Sequence, residues 1–278
     1  MAFKNIIKKS VDYLLRPRGI VNINISQINH GEILRQKCIV ITGGGSGIGY
    51  YMAKKFISEG ATVLIVGRNE EKLRKAKEEM GLKCQYLKFD VTQIEKAKQF
   101  IIKAISILGK IDCLVCNAGI SLHEGTINHV SIESFDKQMN VNLRANYFLV
   151  QAFIEQHKNG IPQDILLITS MTGNQINEIP YGIAKAGLNS MIQKINKRYY
   201  QYGIRVNAIA PGVIPTELTK SYIDISDGNM FYSESSGRYF LPEEIAEVAT
   251  FLLSDASKII AGEVITCDGG ISQKPIWK

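Results

Sequence analysis

Short runs of aliphatic and β-branched residues recur along the chain, and the longer segments between them carry apolar residues at every third or fourth position. Cys38–Ile41, Ala61–Val66, Ile111–Cys116, Ile165–Thr169, Val206–Ala210 and Gly262–Cys267 have the length and composition of strands covered on both faces. Tyr50–Ile57 and Ile132–Gln156 show the helical spacing, the second predicting one long helix. Strands alternating with helices predict an α/β fold built on a doubly wound parallel sheet, with ligands at the carboxyl ends of the strands. A chain of 278 residues, 45% hydrophobic and 21% charged, fills one large domain of this kind. That domain is expected over residues 37–278, with residues 1–36 as an extension before it.

The first strand runs into Thr42-Gly43-Gly44-Gly45-Ser46-Gly47-Ile48-Gly49, and a helix follows at once. Glycines suit such a turn because the backbone must fold tightly and approach a pyrophosphate, which then rests on free N–H groups at the positive helix end. The dinucleotide pattern places an acid at the end of the second strand to bind a ribose hydroxyl. Here that strand ends in Gly67-Arg68-Asn69. With no carboxylate to repel a phosphate and a guanidinium able to bind one in bidentate fashion, Arg68 predicts NADP(H) over NAD(H).

Further along, Tyr181 and Lys185 stand four residues apart in Tyr181-Gly182-Ile183-Ala184-Lys185. On a helix this spacing puts both on one face, where an ammonium would lower the phenol's pKa and make it a usable acid or base. An isolated pair of this kind is most often a surface pair; the preceding glycine turn is what points it toward hydride chemistry.

These motifs together resemble the short-chain dehydrogenase/reductase family over roughly residues 36–272, in family order: Thr42-Gly43-x-x-x-Gly47-Ile48-Gly49, Asp90-Val91, Asn117-Ala118-Gly119, Asn142, Ser170, Tyr181-x-x-x-Lys185 and Pro211-Gly212. The resemblance implies a Rossmann-type single domain with Gly43, Ser46, Gly47, Ile48 and Gly49 at the cofactor phosphates. It also implies Asp90 and Val91 at the adenine, Asn117, Ala118 and Gly119 along the central strands, and Pro211, Gly212, Val213 and Thr216 at the nicotinamide half. The implied catalytic set is Asn142, Ser170, Tyr181 and Lys185. Ser170 would polarise the substrate carbonyl, Tyr181 would transfer the proton, Lys185 would hold the ribose, and Asn142 would anchor a water chain behind the lysine. Ser170 precedes Tyr181 by only eleven residues, fewer than the family commonly has.

Similarity is greatest to the branch containing 3-oxoacyl carrier-protein reductases, through Pro242-Glu243-Glu244-Ile245-Ala246 and Cys267-Asp268-Gly269-Gly270. The resemblance implies a homotetramer built on the helices that follow Ile132 and Tyr181, and a substrate lid over residues 216–241 carrying Tyr222, Phe231, Tyr232 and Tyr239. Sugar or steroid reduction, a nucleotide-sugar epimerase, and a dinucleotide sensor or scaffold without turnover are the competing readings.

The formal charge of +7 suggests a polyanion binder until it is located. Lys4, Lys8, Lys9, Arg16, Arg18, Arg35 and Lys37 face only Asp12 and Glu32 in residues 1–37, so the body is nearly balanced and no nucleic-acid partner is expected. Residues 3–15 read as an amphipathic helix, and Ile20–Ile25 as an added strand. Residues 1–18 are a candidate contact for the chain's own body, a sister subunit, another protein or an anionic membrane surface. Five scattered cysteines do not form a disulfide framework and fit the reducing cytoplasm. Cys113 and Cys116 lie three apart in a strand and so face opposite ways, and the four histidines lack ligand spacing, so no metal is expected.

Overall fold

A computed structural model describes residues 31–157, 161–220, 223, 229–232 and 236–273. The expected helix of residues 3–15, the expected strand Ile20–Ile25 and much of the expected lid, Tyr222 included, lie outside the described residues.

Seven parallel strands form one sheet in the order β3-β2-β1-β4-β5-β6-β7: β1 Cys38–Thr42, β2 Thr62–Gly67, β3 Cys84–Lys88, β4 Cys113–Cys116, β5 Gln163–Ile168, β6 Ile204–Pro211 and β7 Val264–Cys267. The principal helices are α1 Gly47–Ser58, α2 Glu70–Met80, α3 Ala97–Leu108, α4 Ile132–Met139, α5 Ala145–His157, α6 Pro180–Tyr199 and α7 Pro242–Leu253. The doubly wound sheet expected from the alternating pattern is the one observed.

Successive strand residues serve opposite layers. Ile39, Ile41, Val63 and Ile65 pack with Met52, Phe56 and Leu73 of α1 and α2 and with Ile245, Ala249 and Leu252 of α7. Val40, Leu64, Val66 and Leu114 face the other way, onto Phe100 and Ile101 of α3, Leu149 and Phe153 of α5, and Leu188 and Ile192 of α6. With both faces covered, alternation disappears and the strands read as continuous apolar runs. Cys113 and Cys116 divide between the two cores, as their spacing in a strand requires.

Within residues 31–36, counted with the extension on sequence, Ile33 and Leu34 pack on the body: Leu34 is fully buried and its N–H donates to Glu59 O at 2.9 Å. Among the described residues no helix is long and apolar enough to cross a membrane.

The long helix expected over 132–156 is interrupted. Between α4 and α5, Asn140–Arg144 form a π-helical turn. Asn146 Nδ2 donates to Asn142 O at 2.8 Å and to Val141 O at 3.4 Å, satisfying carbonyls displaced by the wider turn. This register change sits at Asn142.

Candidate active site

The sheet order reverses between β1 and β4, and their carboxyl ends diverge there to leave a crevice. The glycine turn lies on its floor, pinned from beneath by residues of both strands. Thr42 Oγ1 accepts from the N–H groups of Asn117 (3.0 Å) and Ala118 (3.1 Å), while Asn117 Nδ2 donates to the carbonyls of Thr42 (3.0 Å) and Gly43 (3.2 Å). Gly43 and Gly47 adopt φ of +68° and +53°, a region that disfavours side chains. A Cβ at Gly43 would lie 2.9 Å from Asn117 Nδ2, so the turn and the β4 loop fit only as glycine against amide.

Two adjoining cavities share Gly43, Ser46, Ala118 and Gly119. The larger, about 690 Å³, extends past Gly45 to Arg68, Asn69, Asp90 and Val91. Arg68 is exposed and makes no hydrogen bond or ion pair among the described residues, whereas Asp90 is engaged, its Oδ1 accepting from Thr92 N (2.9 Å) and Thr92 Oγ1 (2.8 Å). The smaller, about 340 Å³, is lined by Gly47, Ile48, Asn117, Ser170, Tyr181, Lys185, Pro211, Gly212, Val213 and Thr216. All the sequence-predicted site residues except Gly49 and Asn142 line one or both cavities. Gly49 is buried beneath the turn, and Asn142 is fully buried behind the β4 loop.

Ser170, two residues past the end of β5 and extended, caps the 3-10 turn Met171–Asn174; its Oγ accepts from Thr172 N (3.2 Å) and Thr172 Oγ1 (2.9 Å). The short path to Tyr181 is held by Asn177, whose Nδ2 donates to Thr172 O and to Gln175 O. Pro180 then opens α6, an N-terminal position where a missing N–H costs nothing, and Tyr181 and Lys185 follow on one face. Gly173 lets the 3-10 turn rest on that helix: a Cβ there would stand 2.9 Å from Lys185 C and Asn189 Nδ2.

Lys185 is 3% exposed, and its Nζ donates to Ile168 O at 2.8 Å while standing 5.6 Å from the centroid of the Tyr181 ring. Burial pulls its pKa down to about 8. Burial also holds the Tyr181 phenol above its ordinary value, and the Ser170 hydrogen bond draws it part of the way back. The lowering of the phenol by Lys185 expected from their spacing is absent here, because the ammonium is turned toward the end of β5 and desolvation dominates. Asn142 faces the same spot from behind. Its Nδ2 donates to Ile120 O (2.8 Å), its Oδ1 accepts from Ile120 N (2.9 Å), and a Cβ at Gly119 would meet Asn142 Oδ1 at 3.0 Å and Lys185 Nζ at 3.6 Å.

A lysine whose folded pKa is depressed from 10.5 to about 8 contributes stability that is fully present above pH 10.5 and lost as pH falls through about 8. Melting temperatures of the wild type and Lys185→Met, measured across that window, should differ most below pH 8, with the variant gaining relative to the wild type as pH falls. A constant difference at all pH values would show that the ammonium is not desolvated as the structure has it.

Three site residues escaped the sequence reading. His123 lines the smaller cavity at φ +56°, its Nδ1 3.1 Å from Ser121 Oγ and its Nε2 2.9 Å from Leu218 O. Lys72 and Glu217 line opposite halves and meet each other. No motif marks any of them, although Lys72 follows Arg68 by four residues, in the first turn of the helix that Asn69 caps. Among the described residues no three His, Cys, Asp or Glu side chains are grouped to hold a metal ion.

A family profile described as enoyl-(acyl carrier protein) reductase matches residues 43–272. The 3-oxoacyl-(acyl-carrier-protein) reductase FabG of Chlamydia trachomatis serovar D is 33% identical over 246 residues, which cover 86% of this chain and 99% of that protein. The L-rhamnose 1-dehydrogenase (NADP(+)) of Thermoplasma acidophilum is 32% identical over 244 residues, covering 84% of this chain and 96% of its own. The crystal structure of 3-ketoacyl-(acyl-carrier-protein) reductase from Brucella melitensis complexed with NADH superposes with a TM-score of 0.79 at 31% identity, covering 86% of this chain and 99% of that one.

Proposed function

The chain belongs to the short-chain dehydrogenase/reductase family of oxidoreductases, and from that premise we propose that it interconverts a carbonyl and a secondary alcohol with NADP(H), acting on 3-oxoacyl thioesters or related ketones. The observation that carries this reading is the meeting of Ser170, Tyr181 and Lys185 on one wall of a cavity continuous with the glycine turn. The two-part groove fits an extended dinucleotide. Its floor is glycine backbone closed to any side chain at Gly43, its distal end carries the unpartnered Arg68, and its proximal end reaches the tyrosine.

When bound, the nicotinamide supplies or accepts the hydride. The protein's own residues supply position and protons. Ser170 Oγ and the Tyr181 phenol, which line the same cavity, would share the substrate's carbonyl oxygen, the serine polarising it and the phenol protonating it. A phenol held above its ordinary value by burial keeps its proton until that oxygen develops negative charge. Lys185 would swing from Ile168 O toward the ribose and the phenol when these are in place. Asn142 holds the Gly119–Ile120 backbone against the lysine and is a positioning residue in this account.

The exposed apolar side chains of Ile132 and Phe135 on α4, Tyr147 on α5 and Ile183 on α6 support a homotetramer joined through these helices. Five free cysteines support a reducing, cytoplasmic setting. We assign residues 37–278 to the catalytic domain.

Cofactor choice is tested at Arg68. Arg68→Asp would replace a phosphate ligand with a carboxylate that repels phosphate and accepts from a ribose hydroxyl, moving the NADPH-to-NADH ratio of kcat/KM toward NADH by about tenfold or more. An unchanged ratio would remove Arg68 from the phosphate site.

A further inference from the structure

We propose that Lys72 is a second ligand for a cofactor phosphate, held in reserve by Glu217, which gives it up when the dinucleotide binds. The inference rests on the dinucleotide reading above and concerns a contact between segments 145 residues apart. Lys72, in the first turn of α2, places Nζ 2.7 Å from both Oε1 and Oε2 of Glu217, in the segment that follows β6. A Cβ at Gly45 would lie 3.7 Å from Lys72 Cβ, and one at Gly47 would lie 3.6 Å from Thr216, the neighbour of Glu217. The ion pair therefore spans Gly45-Ser46-Gly47, the backbone on which a diphosphate would rest, and joins the two walls of the groove above it.

Charge and exposure set the direction of the exchange. Glu217 would hold a carboxylate beside the cofactor phosphates, unlike Asp90, the carboxylate of the other half, which is turned onto Thr92. The Lys72 and Glu217 side chains are 46% and 63% exposed, so their pair is among the weak, screened kind. A phosphate in the groove brings more charge and more acceptor oxygens to the same ammonium, next to the unpartnered Arg68. Lys72 thus moves from carboxylate to phosphate, and Glu217 is released.

The test is calorimetric titration of the full chain with NADPH, NADH, 2′,5′-ADP and 5′-ADP, in the wild type and in Lys72→Gln, Glu217→Gln and Glu70→Gln. Opposite signs are expected: Lys72→Gln weakens NADPH binding about tenfold, and Glu217→Gln tightens it about threefold by removing the competitor. Glu70→Gln removes the same charge from the start of the same helix but away from the pair, and stays within about twofold of wild type. Weakening confined to NADPH and 2′,5′-ADP supports exchange onto the 2′-phosphate; equal weakening of NADH and 5′-ADP supports exchange onto the diphosphate. The proposal is overturned if Lys72→Gln and Glu217→Gln both weaken binding, if neither changes it, or if Glu70→Gln tightens it as much as Glu217→Gln. A wild type that binds none of the four ligands would instead refute the dinucleotide reading itself, and the exchange with it.

Discussion

Tyr181→Phe is expected to lower turnover by about 10²- to 10⁴-fold while leaving NADPH affinity within about twofold of wild type. The ring stays in the same slot at the start of α6, so the packing around Ser170 and Lys185 is kept and only the transferable proton is lost. Removing one neutral hydroxyl costs at most about one net hydrogen bond, so the variant should melt no more than about 4 °C lower. The check is kcat alongside a nucleotide titration and a melting curve. Retained turnover would move proton transfer to another group, with Ser170 the first to examine. Loss of binding together with turnover would mean that the phenol holds the groove together rather than doing the chemistry.

Gly49→Ala should abolish nucleotide binding and destabilise the fold by about 3 kcal/mol, although it adds a single methyl group. Gly49 is buried on the first turn of α1, directly under the glycine turn. Its added Cβ would fall on the carbonyl oxygen of Gly43, well inside van der Waals contact, and 2.6 Å from Asn117 Nδ2. Neither neighbour is a flexible side-chain end. Gly43 is backbone at φ +68°, and Asn117 is fixed by its bonds to Thr42 and Gly43. Relief requires the turn to lift from the β4 loop, which dismantles the floor shared by the two cavities. Gly67→Ala is the control, since its Cβ would meet Leu73 at an ordinary 3.6 Å and should cost less than about 1 kcal/mol. Equal melting temperatures for Gly49→Ala and wild type would show that the helix does not press on the turn in this way.

The fold was legible because a sheet covered on both faces leaves a strong signal: runs such as Ile39–Ile41 and Val63–Val66 are apolar at every position, and helices with one apolar face separate them. The glycine turn and the Tyr181/Lys185 pair were legible for a related reason, since each is local and depends on spacing within one turn or one helix. What could not be read depends on contacts distant in sequence or on sums over many neighbours. The π turn at Asn142 shifts the helical register over only five residues, too few for apolar spacing to register, and its purpose becomes visible only against Ile120. Spacing suggests that Lys185 lowers the Tyr181 phenol, but the sign at that phenol is set by burial, which no local pattern reports. The Lys72–Glu217 pair joins segments that no periodicity connects. His123, with a left-handed backbone in a loop after β4, is a residue type that tolerates this conformation, and nothing in the flanking sequence singles it out.

A nicotinamide bound in this groove would deliver its hydride to a carbonyl beside Tyr181. The most direct measurement is nicotinamide oxidation by the purified full chain, with NADPH and NADH supplied separately, against 3-oxoacyl thioesters, keto-sugars, steroids and small diketones. NADPH should be consumed in step with alcohol formed, faster than NADH and fastest with a 3-oxoacyl thioester. NADPH that binds tightly while no carbonyl in the set is reduced would contradict this expectation and leave the chain a nucleotide-binding sensor or scaffold.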